Sequence, residues 1–276
     1  SCTTQFIASA FVSLMLVGCT TSSTTAPGLS GQERQQTMMD TPGHSEIGFN
    51  RAAVQAYALV LKDARLDGTL NTDEIMIRRV GNIAEKLIPH SVHFRKDALT
   101  WDWETSVIDS AQVNAWAMPG GKIIVHSGLI QKLDLSDNEL AIVIGHEIAH
   151  TLREHQRERA TTQRFRGGLV EFVKQVAKQT NSSKNSLPLL IYDLTVKLPN
   201  TRTHEREADE IGVELAARAG FDPRAAVTFW QKMETHTENS KSISFLSTHP
   251  SHQERRSDLE RFSELASPLY DALQKK

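Results

Sequence analysis

Residues 140–150 read Leu-Ala-Ile-Val-Ile-Gly-His-Glu-Ile-Ala-His. From Leu140 to Ala149 a helix built from this stretch is apolar nearly all round, interrupted only by His146 and Glu147. Such a helix is buried. Burying two imidazoles and a carboxylate there costs on the order of several kcal/mol unless they are paired. The spacing H-E-x-x-H points to a bound metal as the partner. Residues four apart share a helix face, so His146 and His150 can reach one ion. Glu147 lies about 100° round the helix, close enough to touch a metal-bound water without ligating the metal. Zinc lowers the pKa of such a water towards about 7, and a carboxylate can take its proton as it attacks a carbonyl. The alternative is a buried helix with hydrogen-bonded histidines and no metal.

A catalytic zinc usually takes three protein ligands. Arg153 and Gln156 stand where the metzincin pattern needs Gly and His, which removes that class. His155 is rotated about 140° from His150 on a continuous helix and cannot close the same site. Glu205-Arg206-Glu207-Ala208-Asp209 is the better source. On a helical wheel Ala208, Asp209, Gly212 and Ala216 fall within about 60° of Glu205, and Glu207 points about 160° away. Glu205 is therefore expected as the third ligand and Asp209 as the acceptor that orients a zinc histidine. Glu207 is expected to face solvent. The competing reading makes Glu205 and Asp209 surface charges.

Working outward, Ser136-Asp137-Asn138-Glu139 is a capping box that opens the metal helix, predicted to run on through Ala160. Trp101–Val107, Val113–Met118 and Lys122–Val125 alternate as strands, with Pro119-Gly120-Gly121 as a hairpin turn, and His93–Arg95 reads as a further short strand. Helices are predicted over Phe49–Asp67, from an N-cap at Thr72 to Leu87, over Leu169–Gln179, from Thr201 to a C′ glycine at Gly220, from Asp222-Pro223 to His236, and over Pro250–Leu265. The apolar Leu187–Pro199 segment, after the polar NSSKNS loop, is either a lid over the metal groove or a core helix. The basic cluster Arg153, Arg157, Arg159, Arg164 and Arg166 reads as a solvated helix face.

The apolar run Phe6–Gly18 has the length of a signal-peptide core and is too short to span a bilayer, which needs about 20 residues. A buried N-terminal helix is the alternative. The run closes on Leu16-Val17-Gly18-Cys19, which resembles a bacterial lipobox with Cys19 as the lipidated residue, although no Lys or Arg precedes it. Residues 1–19 are thus expected as a lipoprotein signal, residues 20–48 as a flexible tether, and residues 49–276 as a metallopeptidase domain. With 31 Lys and Arg against 33 Asp and Glu, nothing in the charge balance suggests nucleic acid. Both cysteines, Cys2 and Cys19, lie at the N-terminal end, so neither a disulfide framework nor a Cys-ligated zinc finger is available to the domain. Oligomeric state is not legible.

HEIAH, followed some fifty residues on by LPNTRTHEREADEIG, is similar to the gluzincin family that includes the heat-shock protease HtpX, the CAAX prenyl endopeptidase and the mitochondrial Oma-type protease. NAWAMPGGKIIVHSGLI, GFDPRAAVTFWQKM and FLSTHPSHQERRSDL resemble its other segments, so the likeness runs from about residue 70 to 262. The resemblance implies His146, His150 and Glu205 as zinc ligands, with one zinc per chain, and Glu147 as the base. It implies His249 as an oxyanion stabiliser with Arg255 as its helper. It implies Asn114, Ala115, Trp116 and Ala117 as the edge that pairs with an extended polypeptide substrate. HtpX and the prenyl enzyme span membranes several times and this chain has no such spans, so it resembles a single-domain lipoprotein branch on the outer membrane, facing the periplasm. The expected fold is α+β, mostly helical and zincin-like, with a small sheet beside the HExxH helix. The expected work is endoproteolytic quality control of envelope proteins. A zinc-containing chaperone-like or peptide-binding lipoprotein is the rival function.

Overall fold

Ser136 caps the metal helix as its sequence demands: its hydroxyl accepts from Glu139 N–H, and Glu139 Oε2 accepts from Ser136 N–H at 2.8 Å. The computed structural model describes residues 19–40, 45–165, 186–239, 244–251 and 253–275. In chain order these form β1 (Cys19–Ser22), β2 (Gln36–Met39), α1 (Glu46–Leu66), α2 (Glu74–Leu87), β3 (Glu104–Ile108), β4 (Ala115–Met118), β5 (Lys122–His126), α3 (Ser127–Lys132), α4 (Asp137–Leu152), α5 (His155–Phe165), α6 (Ser186–Tyr192), a π-helical turn (Asp193–Lys197), α7 (Arg202–Arg218), α8 (Ala225–Asn239), α9 (Ser244–Thr248) and α10 (Arg255–Gln274). The fold is mostly helical with small sheets, as expected.

The larger sheet runs β3-β5-β4, with β3 parallel and β4 antiparallel to the central β5. Gly120 and Gly121 make the β4–β5 turn at φ 81° and 87°, a conformation glycine adopts without a side-chain penalty. Alternate residues face opposite ways, and both faces are covered. Ala115, Ala117, Ile123 and Val125 enter the main core with α2, α4, α7, α8 and α10. Trp116, Met118 and Ile124 enter a smaller core with Phe49, Ala53 and Tyr57 of α1 and Leu190, Ile191 and Leu194. The Leu187–Pro199 segment is thus packed in this second core.

Four expectations are corrected. First, no strand forms at His93–Arg95. Short 3-10 turns, Ile88–His93 and Lys96–Thr100, take its place, the first opening on Pro89, and Asp73 rather than Thr72 caps α2. Second, the helix expected through Ala160 breaks after Leu152. Glu154 adopts φ 50° and turns the chain into α5. A left-handed non-glycine residue costs about 1–2 kcal/mol. Glu154 is held there by Arg95 Nη1 at 2.8 Å and Arg157 Nη1 at 2.7 Å. Third, Arg153, Arg157 and Arg159 are buried and form ion pairs or hydrogen bonds rather than a solvated face. Arg166 and the side chain of Arg164 lie outside the described residues, as does the predicted Leu169–Gln179 helix.

Fourth, the tether expected over residues 20–48 is not free over its described part. β1 and β2 pair antiparallel, and Gln36, Met38 and Met39 are buried. Gln36 Nε2 donates to Arg153 O (2.6 Å) and Glu158 Oε2 (2.8 Å), and Met39 N donates to Thr161 Oγ1 (3.0 Å). Arg34 grips Glu158 on α5 and Glu207 on α7. Composition alone marks this segment as polar linker. A few anchoring side chains are enough to lay it along the domain. The apolar run Phe6–Gly18 lies outside the described residues, and among those described no helix is long and apolar enough to cross a membrane.

Candidate metal centre and active site

The centre forms where α4 and α7 cross at glycines. A Cβ on Gly145 would stand 2.8 Å from Gly212 O, and a Cβ on Gly212 would stand 2.7 Å from His146 N. The stripe Ala208, Gly212 and Ala216, with Gly145 opposite, brings the two backbones into contact and sets Glu205 beside the two histidines. Gly212→Ala is therefore expected to force the helices apart at a cost of about 1–3 kcal/mol. Thermal unfolding of the variant and its metal content should both fall; a normal melting temperature with full metal would count against this packing account.

His146, His150, Glu205 and His249 converge, all buried, with donor atoms within 4.8 Å of one another. His146 Nε2 to His150 Nε2 is 3.0 Å, and His146 Nε2 to His249 Nδ1 is 3.2 Å. Glu205 carboxylate oxygens lie 3.5 Å from His146 Nε2, 3.3 Å from His150 Nε2 and 3.1 Å from His249 Nδ1. A tetrahedral cation with bonds of about 2.0 Å sets its donors about 3.3 Å apart. The four side chains therefore fit one such ion.

Electrostatics favour positive charge here. Burial would raise the Glu205 carboxyl, but His249, Arg255 and the two helix histidines hold it well below the usual range. Burial works against charge on His146, yet hydrogen bonds to Asp209 and Glu205 outweigh it and raise that imidazole to about 10. Burial pushes His150 down to about 3, against its Glu205 hydrogen bond, and so keeps it neutral. Burial also pushes the Glu147 carboxyl up, opposed by His249 and His146. Glu147 Oε1 stands 3.3 Å from His249 Nε2 and makes no hydrogen bond, so it is left for a further group.

Asp209 Oδ1 accepts from His146 Nδ1 at 2.9 Å, the position its wheel angle predicts. Arg255 does not reach the histidine ring it was expected to help. Its guanidinium lies on Asp209 (2.8 and 2.9 Å) and on Glu205 Oε2 (2.9 Å), and it touches only the carbonyl of His249. His249 sits among the metal donors rather than apart from them. Asn114, Ala115, Trp116 and Ala117 are all buried beside α4, and Ala117 O accepts from Gln156 Nε2 at 3.0 Å.

Sequence reasoning missed three groups. His155 reaches the far side of His150 (Nδ1 to Nδ1, 2.8 Å) because the chain turns at Glu154. Glu207, expected in solvent, accepts from His155, Arg34 and Arg153. Arg159 donates to Asn200, whose amide faces His249 at 3.5 Å. Only the left-handed residue at 154 could have revealed the first, and no Gly or Pro marks it.

The family model of peptidase family M48 matches residues 76–263. The chain belongs to peptidase family M48. This M48 chain is 36% identical over 173 residues to "Metalloendopeptidase OMA1, mitochondrial" of Bos taurus, covering 58% of this chain and 32% of that protein. It is 37% identical over 157 residues to "Mitochondrial metalloendopeptidase OMA1" of Arabidopsis thaliana, covering 55% and 30%. It is 23% identical over 261 residues to "Beta-barrel assembly-enhancing protease" of Escherichia coli (strain K12), covering 92% and 52%. The M48 chain thus spans between about a third and a half of the length of these relatives.

Proposed function

We propose that the chain is a zinc-dependent endopeptidase acting on unfolded or misassembled envelope proteins. The observation that carries this reading is the convergence of His146, His150, Glu205 and His249, with donor atoms within 4.8 Å of one another, and the Glu147 carboxylate alongside. Zinc held there supplies Lewis acidity towards a carbonyl and a more acidic water. Glu147 takes the proton of the attacking water and passes it to the leaving amine; its raised pKa suits both halves of that task. Asp209 fixes the His146 ring, and Arg255 fixes Asp209 and Glu205.

A catalytic site keeps one metal position open, whereas four protein donors close it. His249 would then be the donor that gives way, leaving its Nε2, 3.3 Å from Glu147 Oε1, to face the oxygen that gains charge. An extended polypeptide adds along β4 at Asn114–Ala117, exchanging the Gln156 bond to Ala117 O for its own main chain. A peptide-binding or chaperone-like lipoprotein with a structural metal is the rival, and a buried base beside the donors has no use in it.

Hydrolysis of a denatured membrane protein by the purified chain, followed by mass spectrometry, tests the reading. New peptides should form with metal and vanish with chelator. Retention of the intact substrate by a fully zinc-loaded chain would favour the rival. We further propose lipidation at Cys19 and a place on the outer membrane facing the periplasm; the likeness to the Beta-barrel assembly-enhancing protease of Escherichia coli and the lipobox-like LVGC support it. Cys19→Ser should then move the protein from the membrane pellet to the soluble fraction, and a variant that still pellets refutes the anchor.

A further inference from the structure

His150 has two ring nitrogens with different neighbours. Nε2 faces the donor cluster, and Nδ1 faces His155 Nδ1 at 2.8 Å. A histidine that gives Nε2 to a metal carries its proton on Nδ1 and donates it. His155 Nδ1 must then accept, which places the His155 proton on Nε2. That nitrogen lies 2.9 Å from Glu207 Oε2, an acceptor. The direction of every bond in the chain is thereby set: His150 donates to His155, and His155 donates to Glu207.

Glu207 is itself held from both sides. Arg34 donates from Nε to Oε1 (2.6 Å) and from Nη2 to Oε2 (2.9 Å), and Arg153 Nη2 donates to Oε1 at 3.1 Å. Arg34 also bridges to both oxygens of Glu158 at 2.5 and 2.8 Å. Glu158 in turn meets His204, whose ring stacks on His155 with centroids 4.3 Å apart. His155 is fully buried and cannot reorient without breaking this set.

We propose that His155 and Glu207 are positioning residues for the metal ligand His150, and that Arg34, on the segment joining β1 to β2, is the clamp that fixes Glu207. Asp209 serves His146 in one step; His150 is served in two, and the second step depends on a segment outside the region that the family model matches. The inference rests on the metal reading above.

The test measures zinc affinity of the full chain by competition with a chromophoric chelator, with the visible spectrum of the cobalt(II)-substituted protein as a second readout. Glu207→Gln and Arg34→Ala should each weaken zinc binding by about 10–100-fold and shift the cobalt bands while keeping the native circular dichroism. Arg34→Lys should recover part of the loss. A purely structural role would lower the melting temperature of the metal-free chain and leave affinity and spectrum alone. Glu207→Gln is close to isosteric, so it decides the matter should Arg34→Ala fail to fold. Affinity within about twofold of wild type in folded Glu207→Gln overturns the inference. Glu205→Ala separates the two levels. If that variant also binds zinc normally, the metal reading itself has failed; if it loses zinc while Glu207→Gln does not, only the relay falls.

Discussion

Glu147→Gln is expected to keep its zinc and lose peptide-bond hydrolysis by about 10²–10⁴-fold, the usual contribution of a positioned general base. The substitution preserves shape, removes none of the four converging donors and deletes the carboxylate beside them whose Oε1 makes no hydrogen bond. Burial of Glu147 makes a neutral side chain easy to accommodate there, so stability should hold or rise. Metal analysis and hydrolysis of a denatured substrate, on the same preparation, decide it. Near wild-type turnover would mean that another group activates the water.

Glu205→Ala should act in the opposite way and empty the centre. Glu205 is fully buried and touches His146, His150, His249 and Arg255 at 2.9–3.5 Å. Its removal deletes a donor and leaves Asp209 as the carboxylate still paired with Arg255. Breaking a buried ion pair costs about 3–5 kcal/mol, partly spared here by that remaining partner. Metal content should drop well below one ion per chain and the melting temperature should fall with it. Full zinc occupancy in this variant would refute the ligand assignment.

Much of the centre was legible because it is local. H-E-x-x-H needs one helix, the capping box Ser136–Glu139 sets where that helix starts, and the Glu205, Asp209 and Gly212 stripe needs only a second wheel. What escaped is non-local or hidden in one dihedral. The wheel is right that Glu207 points away from Glu205. It cannot know that residues 19–40 cover that side, so "away" is an ion-pair cluster rather than water. The 140° separation of His155 from His150 assumes an unbroken helix. Glu154 breaks it without a Gly or Pro to signal the change, because the compensation is a pair of arginines, one of them 59 residues earlier. Arg153, Arg157 and Arg159 look like a solvated row for the same reason: their partners come from distant parts of the chain.

The clamp also has a place in time. Arg34 and Glu158 are 124 residues apart, and Arg34 and Glu207 are 173 apart. Contacts of such separation wait on the elements between them, whereas a hairpin such as β1–β2 closes within microseconds. A two-stranded hairpin this short is marginal alone, so β1–β2 is expected to settle only once α5 and α7 offer it a surface. The metal helix and its glycine crossing are expected to assemble before the N-terminal segment seals the outer side of His150. Refolding with zinc present should accordingly show two stages: early metal capture that exchanges freely with a chelator, then a slower step after which exchange becomes slow.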